Sequence, residues 1–237
     1  MEESTAHSPL WHYDERRQIG TDYSSQQEIE AYDLRMQQIR DVPSEIREVL
    51  DLLDLQPDHT LLELGCGTAE FSLAAAGHCS RVIAADISGP MLEYARNKAQ
   101  ARGVQNVEFV QAGFLTYRHQ GRPLEAVVSQ LALHHLPDFW KQVALNRIFD
   151  MLKEGGQFYL RDVVYSFPVR NYGQFFQEFL NSMSREGQPP QDIVRHIRDE
   201  YSTQHWVLEG MMARAGFLID QVDHKNGFIA TYHCTRV

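Results

Sequence analysis

Short apolar segments alternate with amphipathic segments along most of the chain. Apolar runs begin near Thr60, Arg81, Val107, Ala126 and Phe158, and each is only a few residues long before polar or turn residues interrupt it. The third run predicts a strand from Val107 to Phe114. Runs of this length predict buried strands, whereas the apolar residues between them recur at the three- and four-residue steps of helices. Strands that alternate with helices predict a parallel sheet covered on both faces. We therefore expect a single α/β domain.

Two parts of the chain depart from this alternation. Ser24 to Leu55 has the pattern of two helices separated at Pro43, and the residues before it carry few helix or strand signals. We interpret residues 1–55 as an N-terminal arm and helices, a lid that belongs to the same domain, and residues 56–237 as the main part of that domain. Within the main part, aromatic residues at helical spacing predict a helical cap at about residues 167–190.

The end of the chain returns to regular elements. Residues Ile193 to Gly216 have a helical pattern, and Leu218 to Val222 and Phe228 to Tyr232 read as two closing strands. The sequence Lys225-Asn226-Gly227 between the strands predicts the turn of a hairpin.

The chain is acidic, with 32 Asp and Glu against 22 Lys and Arg, and its formal net charge is -10. An acidic surface repels phosphate backbones and anionic membranes, so we expect neither a nucleic acid nor a membrane as a partner. The first twenty residues lack the apolar core of a secretory signal, and no apolar run is long enough to span a bilayer. The three cysteines form no CxxC pair, which favours a reducing, cytoplasmic location without disulfides.

The strongest chemical signal is a glycine turn at the end of the first predicted strand, in the sequence Glu63-Leu64-Gly65-Cys66-Gly67. Glycines allow the backbone to turn with positive φ and let a ligand approach closely. Asp86 ends the next apolar run, about twenty residues later, where a carboxylate can accept hydrogen bonds from both ribose hydroxyls. Together these features predict an adenosine-containing cofactor. The alternatives are a plain glycine turn and an acidic residue that caps the helix starting near Pro90.

The third glycine of a dinucleotide fingerprint is absent. Its position is occupied by Glu70, which would place a negative charge beside a pyrophosphate. A sulfonium cofactor carries an ammonium group and a carboxylate but no pyrophosphate, and Glu63 suits a site that handles positive charge. The residues therefore favour a sulfonium cofactor, and a nicotinamide-dependent oxidoreductase is the less favoured alternative.

Glu63-x-Gly65-x-Gly67, with Asp86 at the end of the next strand, resembles the first two motifs of class I S-adenosylmethionine-dependent methyltransferases. The resemblance extends to four later segments, which are Gly113-Phe114-Leu115, residues 131–136, residues 152–156 and Ala215-Gly216-Phe217. This set is similar to the small-molecule branch, which includes the quinone-biosynthesis C-methyltransferases and an uncharacterised bacterial group close to them. The motifs are specific for the fold and the cofactor but are poor guides to the acceptor.

The resemblance implies a Rossmann-like, seven-stranded, mostly parallel sheet of order 3-2-1-4-5-7-6, with one antiparallel strand and helices on both faces. It also implies that residues 65–67 lie against the methionine portion, that Asp86 holds the ribose and that residues 112–114 line the adenine. The residues expected to contact the cofactor are Glu63, Gly65, Cys66, Gly67, Asp86, Ile87, Met91, Ala112, Gly113, Phe114, Gln130 and Tyr13.

Gly113 departs from the family's pattern. Relatives often carry an Asp at this position, and its carboxylate receives the adenine amino group. We expect adenine recognition here to depend on backbone groups and Phe114, and the affinity for the cofactor to be weaker. On this interpretation, Gly113→Asp raises the affinity.

His134 and His135 follow the fourth strand, where the resemblance places the transferred methyl group. A neutral imidazole there can act as a general base. Adjacent residues on an extended chain point to opposite sides, so we expect no metal at this pair. The plainest alternative is one buried, hydrogen-bonded histidine and one loop histidine. Tyr13, in the aromatic arm, is the best candidate for a lid contact with the cofactor, with ordinary packing as its alternative, and Tyr165 is a candidate for the acceptor pocket.

The predicted function is direct, in-line transfer of a methyl group from S-adenosylmethionine to a small-molecule acceptor. The main alternative is a non-catalytic protein that binds S-adenosylmethionine or S-adenosylhomocysteine, which the motifs do not exclude. A protein methyltransferase would need an open groove in place of the aromatic arm and cap. The sequence is compatible with a monomer or a homodimer.

Overall fold

The computed structural model of the chain describes residues 9–17, 19, 29, 32, 33, 36, 40–184 and 190–237. The α-helices within these ranges are α1 (Val42–Leu53), α2 (Glu70–Ala75), α3 (Gly89–Ala101), α4 (Asp138–Met151), α5 (Tyr172–Met183), α6 (Gln191–Asp199) and α7 (His205–Ala215). The strands are β1 (Thr60–Leu64), β2 (Arg81–Asp86), β3 (Val107–Gln111), β4 (Leu124–Gln130), β5 (Leu152–Tyr165), β6 (Thr203–Gln204), β7 (Phe217–Lys225) and β8 (Ile229–Arg236). Short 3₁₀ turns lie at Leu133–His135 and Val169–Asn171.

The sheet has the strand order β3-β2-β1-β4-β5-β8-β7. The first five strands of this order are parallel, and β8 runs antiparallel to both β5 and β7. The two-residue strand β6 pairs with the end of β5, off the main path. When β6 is left out of the numbering, the order is the predicted 3-2-1-4-5-7-6 with one antiparallel strand, so the fold prediction is confirmed.

The central strands are buried on both faces of the sheet. Leu62 belongs to a core cluster that includes side chains of α4 and α7, whereas Leu61 packs in a second cluster with side chains of α1 and α2. Successive side chains of a strand point to opposite faces, so these two neighbours enter different cores. Because β1 pairs in parallel with both β2 and β4, the carboxyl ends of these three strands meet at one edge of the sheet. This edge is the usual position of a ligand site in this architecture.

Several predicted boundaries were wrong. β3 ends at Gln111 and does not reach Phe114, because the chain turns there and the Tyr117 amide donates to the Gly113 carbonyl oxygen at 2.9 Å. β5 begins at Leu152, well before Phe158. The single helix predicted from Ile193 to Gly216 is two helices, α6 and α7, since β6 lies between them and pairs with β5.

Other local predictions are confirmed. The break at Pro43 is the start of α1, where Pro43 occupies the first turn and the Asp41 carboxylate caps the helix by accepting from the Ser44 amide at 3.1 Å. Asn226 and Gly227 have φ of 55° and 70°, as the predicted hairpin turn requires.

The N-terminal predictions fall partly outside the described residues. Of the helix expected from Ser24, the structure describes Ile29, Tyr32, Asp33 and Met36, all helical, before α1 begins. Residues 185–189 of the expected cap also lie outside the described residues, and α5 occupies the part before them. No helix in the described ranges has the length and apolar character needed to cross a bilayer.

Candidate functional site

The glycine turn after β1 is held against the end of β2. The amides of Gly65 and Cys66 both donate to the Ala85 carbonyl oxygen, at 2.8 and 3.0 Å. Gly65 and Gly67 have φ of +77° and +51°, and Ala69 continues the turn with φ of +60°. A Cβ at Gly65 would lie 2.3 Å from the Ala132 Cβ, whereas a Cβ at Gly67 would meet nothing within 4 Å. The first glycine is therefore required for packing, and the second borders open space.

Asp86, at the end of β2, connects this turn to the start of α3. Its carboxylate accepts from the Gly67 amide at 2.7 Å and from the Ser88 amide at 2.8 Å. Burial raises the pKa of Asp86, although the backbone amides that donate to it oppose this effect. Asp86 thus fixes the glycine turn and still lines the cavity in front of it.

A cavity of about 920 Å³, open to solvent, lies in front of this turn. It brings together eight of the residues predicted to contact the cofactor, namely Gly65, Gly67, Asp86, Ile87, Met91, Gly113, Phe114 and Gln130. Glu63 and Cys66 line a smaller cavity beside it, which also borders Gly65 and Gly67. Ala112 and Tyr13 line neither cavity.

The arm contributes to the cavity through residues that sequence reasoning missed. Glu15, Arg17 and Ile19 line it. The Glu15 carboxylate is buried and accepts from the Leu115 and Thr116 amides at 3.0 and 2.8 Å. No local pattern around Glu15 marks it as buried. The available signal was Gly113. Relatives often carry an Asp at this position, and a glycine leaves space that another side chain, here that of Glu15, can fill.

Tyr13, the arm residue that was selected, lies outside the cavity wall. Its hydroxyl donates to the His135 carbonyl oxygen at 3.4 Å, and its ring lies against Trp140 with centroids 6.2 Å apart. Its role as a cofactor contact stays a prediction.

The two glutamates near the turn have different environments. Glu63 is 3% exposed and accepts from the Ser72 hydroxyl at 2.5 Å. Burial raises the pKa of Glu63 to about 8, so its carboxyl is largely neutral at pH 7 unless a cation adjoins it. Glu70 is held by Lys98 at 2.8 Å and by Arg102 at 2.8 Å. Because these cations neutralise it, Glu70 is a weaker argument against a pyrophosphate than the sequence indicated.

His134 and His135 lie on the 3₁₀ turn after β4, and not on the extended chain that the sequence predicted. His134 is buried; its ring donates to Asp162 and faces Glu200 at 3.1 Å. Burial opposes the charge on this ring, but Asp162 and Glu200 outweigh it and raise the pKa of His134 to about 9. Burial and the neighbouring His134 lower the pKa of His135 to about 4. Of the two, His135 lines the larger cavity.

Comparisons with known proteins agree with this geometry. Residues 61–156 match the family model described as a methyltransferase domain. An uncharacterised methyltransferase of Geobacillus sp. (strain WCH70) is 27% identical over 210 residues, which cover 87% of this chain and 90% of that protein. The demethylmenaquinone methyltransferase of Thermus thermophilus is 30% identical over 184 residues, which cover 73% of this chain and 80% of that protein.

Proteins of known structure share this fold. Magnesium protoporphyrin IX methyltransferase from Synechocystis, solved with S-adenosylhomocysteine bound, matches with a TM-score of 0.58 and 16% identity, over 83% of this chain and 81% of that chain. The extent and identity of the match to the Thermus enzyme, together with the matched domain, establish the family. The chain belongs to the S-adenosylmethionine-dependent methyltransferases, and S-adenosylmethionine is its cofactor.

Proposed function

We propose that this enzyme transfers the methyl group of S-adenosylmethionine to a small-molecule acceptor by direct in-line displacement. The observation that carries the proposal is the single cavity in which the glycine turn, Asp86 and the segment at Gly113 and Phe114 meet residues of the N-terminal arm. In our proposal the arm residues that line the cavity help to exclude water when the ligands bind and to fix the angle of approach of the two reactants, which are the main requirements of a displacement at a sulfonium.

The residues around the cavity fit the cofactor. The space beside Gly67 lets a ligand lie against the backbone, and the buried Asp86 presents a carboxylate to the same space. In our proposal the turn at Gly65 and Gly67 holds the methionine portion, Asp86 accepts from the ribose hydroxyls, and Gly113 and Phe114 border the adenine. The cofactor supplies an electrophilic methyl group, and the chain supplies position and shielding.

His135 is our candidate for a general base. It lines the same cavity, beside Ala132 and Leu136, whereas the His134 ring is engaged with Asp162 and Glu200. An acceptor hydroxyl, amine or thiol loses its proton during methylation. The pKa of about 4 keeps the His135 imidazole neutral and able to receive that proton, but it makes the imidazole a weak base.

The small-molecule assignment rests on the arm residues that line the cavity and on a relative that acts on a small molecule. Tyr165 contacts Phe167, Phe176 and Phe228, with ring centroids 5.4–5.7 Å apart. None of these four residues lines either cavity, so the role of Tyr165 in an acceptor pocket stays a prediction. The Thermus relative, whose name gives demethylmenaquinone as its substrate, supports a small-molecule acceptor.

Calorimetric titration with S-adenosylmethionine, S-adenosylhomocysteine and NADH tests the site. We expect both sulfur ligands to bind and NADH not to bind. Asp86→Asn should abolish binding, and Asp51→Asn, at an exposed position of α1, is the matched control. Turnover with a panel of small aromatic acceptors then separates an enzyme from a protein that only binds the cofactor. Unchanged binding in Asp86→Asn would refute the assignment of this cavity.

A further inference from the structure

Behind the cavity lies a cluster of three potential metal ligands that the proposed methyl transfer does not use. His134 is on the 3₁₀ turn after β4, His196 is in α6, and Glu200 follows that helix. The four-residue spacing of His196 and Glu200 places both on one side of the helix end. Nε2 of His134 lies 3.1 Å from Oε2 of Glu200, and Nδ1 of His196 contacts the same oxygen. All three ligand atoms lie within 4.8 Å of one another.

On His134 and on His196, the ring nitrogen that does not face Glu200 also has a hydrogen-bond partner. Nδ1 of His134 contacts the Asp162 carboxylate, which also accepts from the His134 amide at 2.9 Å. Nε2 of His196 lies 3.1 Å from the Ser202 hydroxyl. Histidines that bind metals almost always have such a partner on the other nitrogen, because it fixes the tautomer and aims the remaining lone pair at the ion. Here both remaining nitrogens aim at one carboxylate oxygen.

The charges of the cluster also point to a cation. The side chains of Asp162 and Glu200 are each 3% exposed. Within the described ranges, neither carboxylate forms an ion pair with a lysine or arginine, and the basic side chains that contact them are the imidazoles of His134 and His196. Two buried carboxylates need two positive charges for neutrality, and one divalent ion supplies both.

We propose that His134, His196 and Glu200 form a binding site for a divalent transition-metal ion, with Zn²⁺ as the best fit. Two imidazoles and one carboxylate are a ligand set that zinc favours, with bond lengths of about 2.0–2.2 Å. A tetrahedral ion at such distances holds its ligand atoms roughly 3.3 Å apart, so only small side-chain movements are needed. Three protein ligands leave a coordination position for water or another donor.

The site ties the turn after β4 to the segment between α6 and β6. His135, which lines the methyl-transfer cavity, lies beside His134 with ring centroids 4.3 Å apart and the two rings tilted by 42°. The ion therefore lies directly behind the wall of the cavity. Metal binding by this cluster does not depend on which acceptor is methylated.

The chain contains a matched control. His205, Glu209 and His224 offer the same three ligand types within 4.8 Å, but at the surface, where their side chains are 35%, 30% and 28% exposed. Direct exposure to water and the lack of a buried second carboxylate should make this surface cluster a much weaker zinc site.

The experiment measures zinc bound to the full chain. The purified protein is stripped with a chelator, equilibrated with ZnCl₂, passed over a desalting column and analysed for metal. We expect stoichiometric zinc in the wild type and in Glu209→Gln, and loss of zinc in Glu200→Gln. Asp162→Asn removes no ligand and should weaken zinc binding about 10- to 100-fold. Replacement of zinc by Co²⁺ should give the visible absorption of a tetrahedral nitrogen–oxygen site.

Binding of S-adenosylhomocysteine and thermal melting of each variant show whether it is folded. Absence of zinc from the wild type would overturn the proposal without affecting the methyltransferase assignment. Retention of zinc by a folded Glu200→Gln, or its loss from Glu209→Gln, would also overturn it. If Glu200→Gln fails to fold, the wild-type stoichiometry and the Asp162→Asn affinity still decide the question.

Discussion

The carboxylate of Glu15 occupies the space that a side chain at Gly113 would fill. A Cβ at Gly113 would lie 2.5 Å from Oε2 of Glu15 and 2.7 Å from the Cγ2 methyl of Ile87. Gly113 does not have a positive φ, so the backbone itself would accept another residue. The glycine is thus explained by the arm that packs on it, and a carboxylate is present at this corner of the cavity although the family's Asp is absent.

Replacing Glu15 should loosen the arm. Glu15→Ala removes both oxygens to which the Leu115 and Thr116 amides donate, so each of these amides loses its acceptor. A buried donor left unsatisfied costs about 1–3 kcal/mol. We expect a lower melting temperature and weaker binding of S-adenosylhomocysteine. Asp14→Asn, at the exposed neighbouring position, should change neither, and equal effects of the two substitutions would contradict the packing described here.

Gly113→Asp should weaken cofactor binding, which is the reverse of what the sequence indicated. The new side chain competes with Glu15 for one space, and two carboxylates repel each other there. The double variant Gly113→Asp with Glu15→Ala removes the competitor, so it should bind S-adenosylhomocysteine more tightly than Gly113→Asp alone. A double-mutant cycle measured by calorimetry gives the coupling between the two positions. Additive effects would show that the two side chains do not compete.

Alanine at the two glycines of the turn should have separable effects. Gly65→Ala creates a clash with the Ala132 Cβ and should lower stability, and adding Ala132→Gly should restore part of the loss. The methyl group of Gly67→Ala would lie near no other atom, so no clash is expected. The cost is that of the left-handed conformation, about 1–2 kcal/mol for a non-glycine residue. Ala69 already adopts that conformation in the same turn.

The Gly67→Ala protein should therefore fold but bind the cofactor poorly, because its methyl group enters the space proposed for the ligand. Thermal melting with and without S-adenosylhomocysteine distinguishes the two variants. Full binding by Gly67→Ala would argue against the proposed position of the methionine portion.

Much of the fold was predictable because the central strands and their turns carry local signals. The buried run that ends at Gly65 and the acidic residue at the end of β2 are set by sheet burial and backbone sterics, which act over a few residues. The strand order came from the family resemblance. The boundary between α6 and α7 was missed because it depends on the pairing of Thr203 with Val164, a contact between distant parts of the chain.

The site was less predictable because its contacts also join distant parts of the chain. Sequence reasoning placed His134 and His135 at the cavity but treated them as an isolated pair. The partners of His134 are Asp162 and Glu200, which tertiary folding brings to it from β5 and from the end of α6. Glu15 has a similar origin, since its partners lie in the turn after β3. The His196-x-x-x-Glu200 spacing was a local signal that could have directed attention to the cluster.

Glu63 should make the stability of the cofactor-free protein depend on pH. Burial raises the pKa of its carboxyl from 4.5 to about 8, so between these values the folded state holds a proton that the unfolded state releases. The stabilisation is complete below about pH 4.5 and is lost as the pH rises towards 8, with a slope of at most about 1.4 kcal/mol per pH unit. Glu63→Gln keeps a neutral side chain of similar size, so its stability should lack this slope and should exceed that of the wild type at pH 8.

Urea unfolding at pH 5, 6, 7 and 8 measures the difference in stability between the wild type and Glu63→Gln, with Glu93→Gln, at an exposed position of α3, as the control. Parallel pH profiles for the wild type and Glu63→Gln would mean that the carboxyl ionises normally and that water or a cation reaches it in the folded protein.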